Sequence, residues 1–380
     1  MKTVLLVAGG RGGSDFFQGL LDGHKEILSF PGYLRIDHKF KELFDQNTCT
    51  QIAKKFIELY PHFFNSKNNY FERHHRLGKN RDKYFTVNKK KFIRCFDTLY
   101  NNKKLFLKKD NFQILKLLHI AYAETIEGKK NKKKMIFIHT HLVEWTRNFF
   151  KIMNLKNVTI IHIIRHPLAS LNSPIKNWLN FNEGKSFFSK DLYFQIDLVF
   201  NGIQNLLKLG KVYIIQYEYL HWYHKYVMKD FCEIYKINYD KCFENSTKLG
   251  LTWWGDKVSR KWLSGISKNF KINVDKNYFF ESDIFFFQSL SRNIIKKYNY
   301  EFLFQQKKIK LKLFPLKCEL LVWKNTIKHF IWSFRWKHFI SIPFFYFLRI
   351  FVINDYRLNY NKKLPYSIGS KHIKKKKKNK

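Results

Sequence analysis

Residues Val4 to Gly32 read VLLVAGGRGGSDFFQGLLDGHKEILSFPG: an apolar run enters a glycine-rich turn carrying one arginine and leaves it as an amphipathic stretch. Val4 to Ala8 is apolar without alternation, the pattern of a strand buried on both faces. Gly9, Gly10, Gly12 and Gly13 carry no side chains that would hold an anion away from the backbone N–H groups. Phe16, Phe17, Leu20 and Leu21 then recur at helical spacing. Strand, glycine turn and helix in that order form a phosphate cradle at a strand-to-helix junction. Two common cradles are disfavoured by single residues. The nucleotide-hydrolase pattern needs Lys directly before Ser, and here Gly13 precedes Ser14. The dinucleotide pattern GxGxxG, counted from Gly10 and Gly12, meets Asp15 where its third glycine belongs.

A second segment, Asn157 to Ser173, reads NVTIIHIIRHPLASLNS. Val158 to Ile164 is another buried-strand run; it ends in Arg165, and Ser173 follows eight positions later. A guanidinium fork suits a phosphate, and a serine hydroxyl adds a donor. A ligand phosphorylated at both ends needs two anion sites on neighbouring strand ends, and open α/β sheets bind ligands in the crevice beyond those ends.

Together the two segments resemble the sulfotransferases that use 3′-phosphoadenosine 5′-phosphosulfate (PAPS). The resemblance implies that Arg11, Gly12, Gly13, Ser14, Asp15 and Phe16 bind the 5′-phosphosulfate, and that Arg165 and Ser173 hold the 3′-phosphate. GLLDGH at Gly19 to His24 and Pro31-Gly32 are similar to the bacterial members. The fold implied is α/β, a central parallel sheet with helices on both faces.

Between the two motifs lies IFIHTHLVEW, Ile136 to Trp145, a third strand run. Its His139-Thr140-His141-Leu142 is similar to the Lys-Thr-His-Leu of cytosolic sulfotransferases, which implies that His141 is the catalytic base and that His139 stands at the family's lysine. A group titrating near neutrality can take the acceptor's proton as sulfur is attacked. Glu144 is the other candidate base, because some members use a carboxylate. Three departures bear on charge. Asp15 puts a carboxylate beside the phosphosulfate, and the role expected of it is to turn away and cap the helix. His166 stands where the family commonly has Asp, and with His139 replacing a lysine more of the charge rests on Arg11. Further on, Lys211 to Leu220 (KVYIIQYEYL) offers another buried strand followed by a YEDL-like turn, and Thr252-Trp253-Trp254-Gly255-Asp256 looks like the aromatic stretch before the family's closing segment. A tryptophan there covers the cofactor or packs in the core; both readings stay open.

The length of 380 residues allows a large core, read as one main domain over 1–305 and a basic, aromatic-rich extension over 306–380. The interval Tyr33 to Lys134 is mostly helical in composition, with polar breaks at Ser66 to Asn69 and Gly128 to Asn131. Cys49, Cys95, Cys232, Cys242 and Cys318 are scattered and form no CxxC pair, so neither a disulfide framework nor a zinc site is expected. No metal is implied. The chain enters its first strand within a few residues, which leaves no room for a signal peptide ahead of it and points to the cytoplasm.

A net charge of +42, from 71 basic and 29 acidic residues, attracts polyanions and anionic membrane surfaces. The abundance of Lys, Asn, Ile, Phe and Tyr is also what A/T-rich codons produce. Lys371 to Lys380, with five uninterrupted lysines at Lys374 to Lys378, stays solvated or binds an anionic surface. Before it, Phe330 to Asn354 reads FIWSFRWKHFISIPFFYFLRIFVIN; its longest uncharged stretch, Phe339 to Leu348, is too short to cross a bilayer and is interrupted by Pro343. Trp332, Phe334, Trp336, Phe339 and Phe344 to Phe347 among Arg335, Lys337 and Arg349 suit a membrane interface or the surface of the main domain equally. The reading is therefore a PAPS-dependent sulfotransferase acting on a hydroxyl or amine of a glycan, lipid or small molecule, peripheral at a membrane if the extension binds one. The rivals are a P-loop small-molecule kinase and a nucleic-acid-binding protein. The first lacks its lysine before Ser14, and the second shows no recognised module.

Overall fold

The computed structural model describes residues 1–8, 11–102, 110–128, 133–155, 158–181, 187–259, 261–267, 269–303, 314–333, 336–358, 364–371 and 373, with backbone alone for 330, 332–333, 352 and 354–358. Gly9, Gly10, Asn157 and the lysines Lys374 to Lys378 lie outside these residues.

The apolar runs form strands β1 (Lys2–Ala8), β3 (Met135–His141), β4 (Thr159–Ile164) and β5 (Lys211–Gln216). Val4 to Ala8 are each fully buried, and Met135 to Thr140 nearly so. Consecutive residues point to opposite faces of a strand, so both faces of the sheet are covered. Two-residue strands β2 (Ile27–Leu28) and β8 (Tyr366–Ser367) complete a six-stranded sheet of order β2-β3-β1-β4-β5-β8, in which every pairing is parallel. A small antiparallel hairpin, β6 (Thr247–Lys248) with β7 (Leu251–Thr252), stands apart from it.

From β1 the chain crosses toward β2 and β3; from β4 it crosses the other way, toward β5. The crevice beyond the carboxyl ends of β1 and β4 is therefore the switch point, where doubly wound sheets bind their ligands. Helices α1 (Ser14–Leu20), α2 (Asn111–Glu127), α3 (Val143–Met153), α4 (Pro167–Asn180) and α5 (Ser189–Leu207) flank the sheet, and α3 and α4 leave the sheet directly after β3 and β4. The interval between β2 and β3 holds several helices, including Cys49–Leu59 and Lys89–Asn101, joined by turns and irregular segments such as 69–88.

The chain beyond residue 305 rejoins the fold. Helices α6 (Lys317–Ser333) and α7 (Trp336–Leu358) pack on α5 as an outer layer. A second apolar core joins Leu316, Cys318, Val322 and Ile353 to Leu192, Ile196 and Phe287. Strand β8 then pairs with β5, fixed by Asp230, which accepts from Tyr366 Oη at 2.9 Å and Gly369 N–H at 2.5 Å. Pro343 lies inside α7 and does not end the helix. Among the described residues no helix is long and apolar enough to cross a membrane.

Candidate active site

The strand order β3-β1-β4 sets the loop after β1 between two segments that each lie more than 120 residues further along the chain. His141 ends β3, the Arg11 to Asp15 loop follows β1, and Arg165 follows β4. Two contacts join them: Ser14 Oγ lies 3.5 Å from His141 Nδ1, and Arg165 Nη1 donates to the Arg11 carbonyl at 3.4 Å.

The loop is shaped by left-handed residues, Arg11 at φ 58° and Gly13 at φ 89°. Gly13 has a second reason to lack a side chain, because a Cβ there would fall 2.2 Å from Cδ2 of Tyr217. The same ring lies under the Arg165 guanidinium, 4.8 Å from its carbon. Glu218 holds the end of β4 in place, accepting from the His166 N–H at 2.8 Å and from Tyr300 Oη at 3.1 Å. Arg11 does not stand alone: both its terminal nitrogens bond the Asp256 carboxylate at 3.1–3.2 Å. The Nε atoms of Arg11 and Arg165 are buried without a hydrogen-bond partner among the described residues.

His141 is held in an uncommon conformation. The β1–β3 register slips between Leu6 and Val7, which leaves Thr140 as a bulge, and His141 follows at φ 64° with the Leu142 N–H donating back to the Thr140 carbonyl at 2.8 Å. Thr140 and Thr146 hydroxyls bond at 2.6 Å and pin the start of α3. A β-branched or aromatic residue at positive φ stores strain, and such residues cluster at functional sites.

A buried hydrogen-bond chain sets the protons on this histidine. Gln18 Nε2 donates to the carbonyls of Phe30 and Gly32 at 2.8 and 3.0 Å, which turns its Oε1 to His139 Nδ1 at 3.0 Å. The network therefore assigns Nδ1–H to His139 and leaves its Nε2 lone pair facing His141 Nδ1 at 3.4 Å. His141 then carries its proton on Nδ1, and its Nε2 is free to accept one. Burial pushes His139 well below the usual histidine range; it also lowers His141, with Asp15 opposing and Arg11 adding to the effect. Tyr33 stacks on the His141 ring at 4.8 Å.

Several expectations change here. Asp15 does not cap the helix: the cap position is Gly13, without a side-chain hydrogen bond, and the Asp15 carboxylate lies 3.9 Å from His139 Nδ1. Asp15 is the second residue in the first turn of a seven-residue helix, and its carboxylate meets the two histidines. Ser173 is half-buried nearly two turns into α4 and accepts from Asn177 Nδ2 at 3.3 Å, a contact within its own helix. Glu144 lies exposed in the first turn of α3. Trp253 and Trp254 pack on the 72–78 loop, donating to the carbonyls of Glu72 and Gly78 at 2.7 Å each. Asp15, His139 and His141 offer ligand atoms within 4.8 Å of one another, the one such group among the described residues spaced to hold a metal ion.

Four further side chains interact with these groups. Gln18 lies one helical turn after Ser14 on the buried face of α1, a polar residue in an apolar stripe that periodicity could have flagged. Asp256 closes the aromatic stretch Thr252 to Asp256, and Glu72 and Lys248 come from other distant segments. Burial raises the Glu72 carboxyl well above its usual range, with Asp15 and Asp256 adding to the effect. Burial lowers the Lys248 ammonium, which Asp15, Glu72 and Asp22 oppose. The Lys248 Nζ is buried with no hydrogen-bond partner among the described residues, 5.3 Å over the Trp253 ring.

No family model matches the chain, and no curated protein matches it. Solved structures similar to it include two sulfotransferase domains. One is the sulfotransferase domain from the Synechococcus PCC 7002 olefin synthase, 13% identical over 72% of this chain and 90% of that one, with a TM-score of 0.34. The other is the sulfotransferase domain from the curacin biosynthetic pathway, 12% identical over 86% of this chain and 97% of that one, with a TM-score of 0.35. At such identities and scores, the chemistry of the site has to come from its own residues.

Proposed function

We propose that the protein is a sulfotransferase that moves the sulfuryl group of PAPS to a hydroxyl or amine on a glycan, lipid or small molecule. The observation that carries this reading is the meeting of His141, the Arg11 loop and Arg165 at the ends of three adjacent strands. The site suits a ligand with two anionic ends, since Arg11 and Arg165 lie on either side of the switch point and each keeps a buried Nε without a partner among the described residues. PAPS supplies an activated sulfuryl group and a phosphate leaving group. Arg165, resting on Tyr217, would hold the 3′-phosphate. Arg11 and the loop N–H groups would hold the 5′ end, competing there with Asp256 for the guanidinium. Where His139 stands at the family's lysine, Lys248 is a buried amine near Asp15 and Glu72; burial works against its charge, and those carboxylates favour it. His141 Nε2 takes the acceptor's proton, with its tautomer held by Gln18 through His139.

Calorimetry with 3′-phosphoadenosine 5′-phosphate against ADP tests the reading. The bisphosphate should bind more tightly than ADP. Arg165→Ala, with folding intact, should weaken it by about 1.5–3 kcal/mol, roughly 10- to 150-fold, the worth of a hydrogen bond to a charged group. Equal affinity for ADP would favour a kinase instead. An Arg165→Ala protein that binds the bisphosphate like the wild type would remove the second phosphate site.

A further inference from the structure

We infer that the outer face of α7, with the adjoining face of α6, docks on an anionic lipid surface, with α7 lying in the plane of the headgroups. Trp336, Ile340, Phe344, Phe347 and Phe351 are each 55–69% exposed. Their spacing of four, four, three and four residues confines them to an arc of about 80° along about 22 Å of helix. The opposite side of α7 faces the protein and carries a buried ion pair: Arg349 Nε and Nη2 bond the Glu319 carboxylate of α6 at 2.9 and 3.0 Å, both side chains buried. Ile353 packs beside it in the second core. Apolar groups outside and an ion pair inside reverse the arrangement that water selects. Single exposed apolar residues are ordinary, but a continuous stripe marks an interaction surface.

Charge identifies the occupant. Among the described side chains of the two helices, the exposed charges are all lysines: Lys324, Lys328 and Lys337. Lys324 and Lys328 flank the exposed Ile327 of α6, and Lys337 follows Trp336 at the start of α7. Lysines beside an apolar stripe reach lipid phosphates while their stems lie along the acyl boundary. A second copy of this chain would bring the same lysines against each other. Neither helix is apolar and long enough to cross a bilayer, so the contact is with one surface. Trp332, Phe334 and Arg335 lie outside the described side chains, as does the lysine tail.

The full chain is tested by flotation with vesicles of phosphatidylglycerol and phosphatidylcholine, against phosphatidylcholine alone, at low and high salt. Wild type should bind the anionic vesicles and bind them less in salt. Phe344→Glu and Phe347→Glu should each weaken binding roughly tenfold or more, the worth of one buried phenyl group. Both positions are exposed, so the thermal midpoint should hold, and calorimetry with the bisphosphate checks that the domain is intact. A chain lacking 371–380 separates the tail from the face. If that deletion abolishes binding while Phe347→Glu changes nothing, the face has no part in it and the inference falls. It also falls if light scattering finds a dimer that Phe347→Glu dissociates and vesicles are left unbound.

Discussion

As the proposed base, His141 is prepared for that role before any ligand arrives. Left-handed backbone aims it, Tyr33 supports its ring, and Gln18 and His139 place its proton on Nδ1. An imidazole already neutral and in the right tautomer needs no rearrangement to accept the acceptor's proton. His141→Ala should therefore lower kcat by about 10²–10⁴-fold and leave bisphosphate affinity nearly unchanged. Glu144, exposed on α3, should tolerate Gln with little loss. The opposite result, full turnover in His141→Ala and loss in Glu144→Gln, would move the base to the helix. The pH profile adds a second check. A base works above its pKa, and burial sets this one below the ordinary histidine value near 6.5, so activity should persist at pH 6.5 and fall only under more acidic conditions. A half-loss of kcat/KM above pH 7 would assign the limb to another group.

The loop between β1 and α1 makes the same point for an element, because its shape depends on a residue 204 positions away. At Gly13, alanine would bring a methyl group to 2.2 Å from the Tyr217 ring and would also sit at φ 89°. Overpacking of this kind costs about 1–3 kcal/mol and the positive φ about 1 more, so Gly13→Ala should lower the thermal midpoint and abolish measurable bisphosphate binding. Adding Tyr217→Leu should recover part of the stability, since the clash is removed, but not the affinity, since Arg165 loses its platform. Strictly additive midpoints would refute the contact. This distance in sequence also explains what could be read in advance. Strands buried on both faces appear as unbroken apolar runs, so β1, β3, β4 and β5 are visible to inspection, along with the arginines and histidine at their ends. Strands β2 and β8 have two residues each, too few for any pattern, and exist because a sheet edge accepts them. The partners that tune the site are hidden for a related reason. Asp256 lies 245 residues from Arg11, and Lys248 and Glu72 enter from polar segments, so only the fold brings them together.

The molecule as a whole is held neutral at its buried histidines, which makes its stability a function of acidity. Burial pushes His62, His119, His162, His166 and His221 each down to about 4. His119 and His162 keep one ring proton for the carbonyls of Leu115 and Val7, at 2.9 and 3.1 Å. In the unfolded chain these groups take up a second proton near pH 6.5; in the folded chain they resist until about 4. Between those values the unfolded state binds more protons, so stability falls as pH falls through the window. For His119, His162 and His166 the loss at pH 5 is on the order of 2 kcal/mol each, comparable in sum to the roughly 5–15 kcal/mol that holds a domain together. Glu72 and Glu218 act in the opposite sense, because their raised pKa favours the folded state as acid is added, but they are fewer. The thermal midpoint should therefore be level above pH 7 and drop steeply between pH 6.5 and 4.5. His119→Leu isolates one contribution: its Nε2 is buried without a partner among the described residues, so leucine removes both that unsatisfied atom and the proton uptake. The variant should match or exceed wild type at pH 7, and its acid limb should shift to lower pH. A wild-type midpoint unchanged from pH 7 to 5, or a His119→Leu limb that overlays the wild type, would mean that these histidines do not stay neutral in the folded chain.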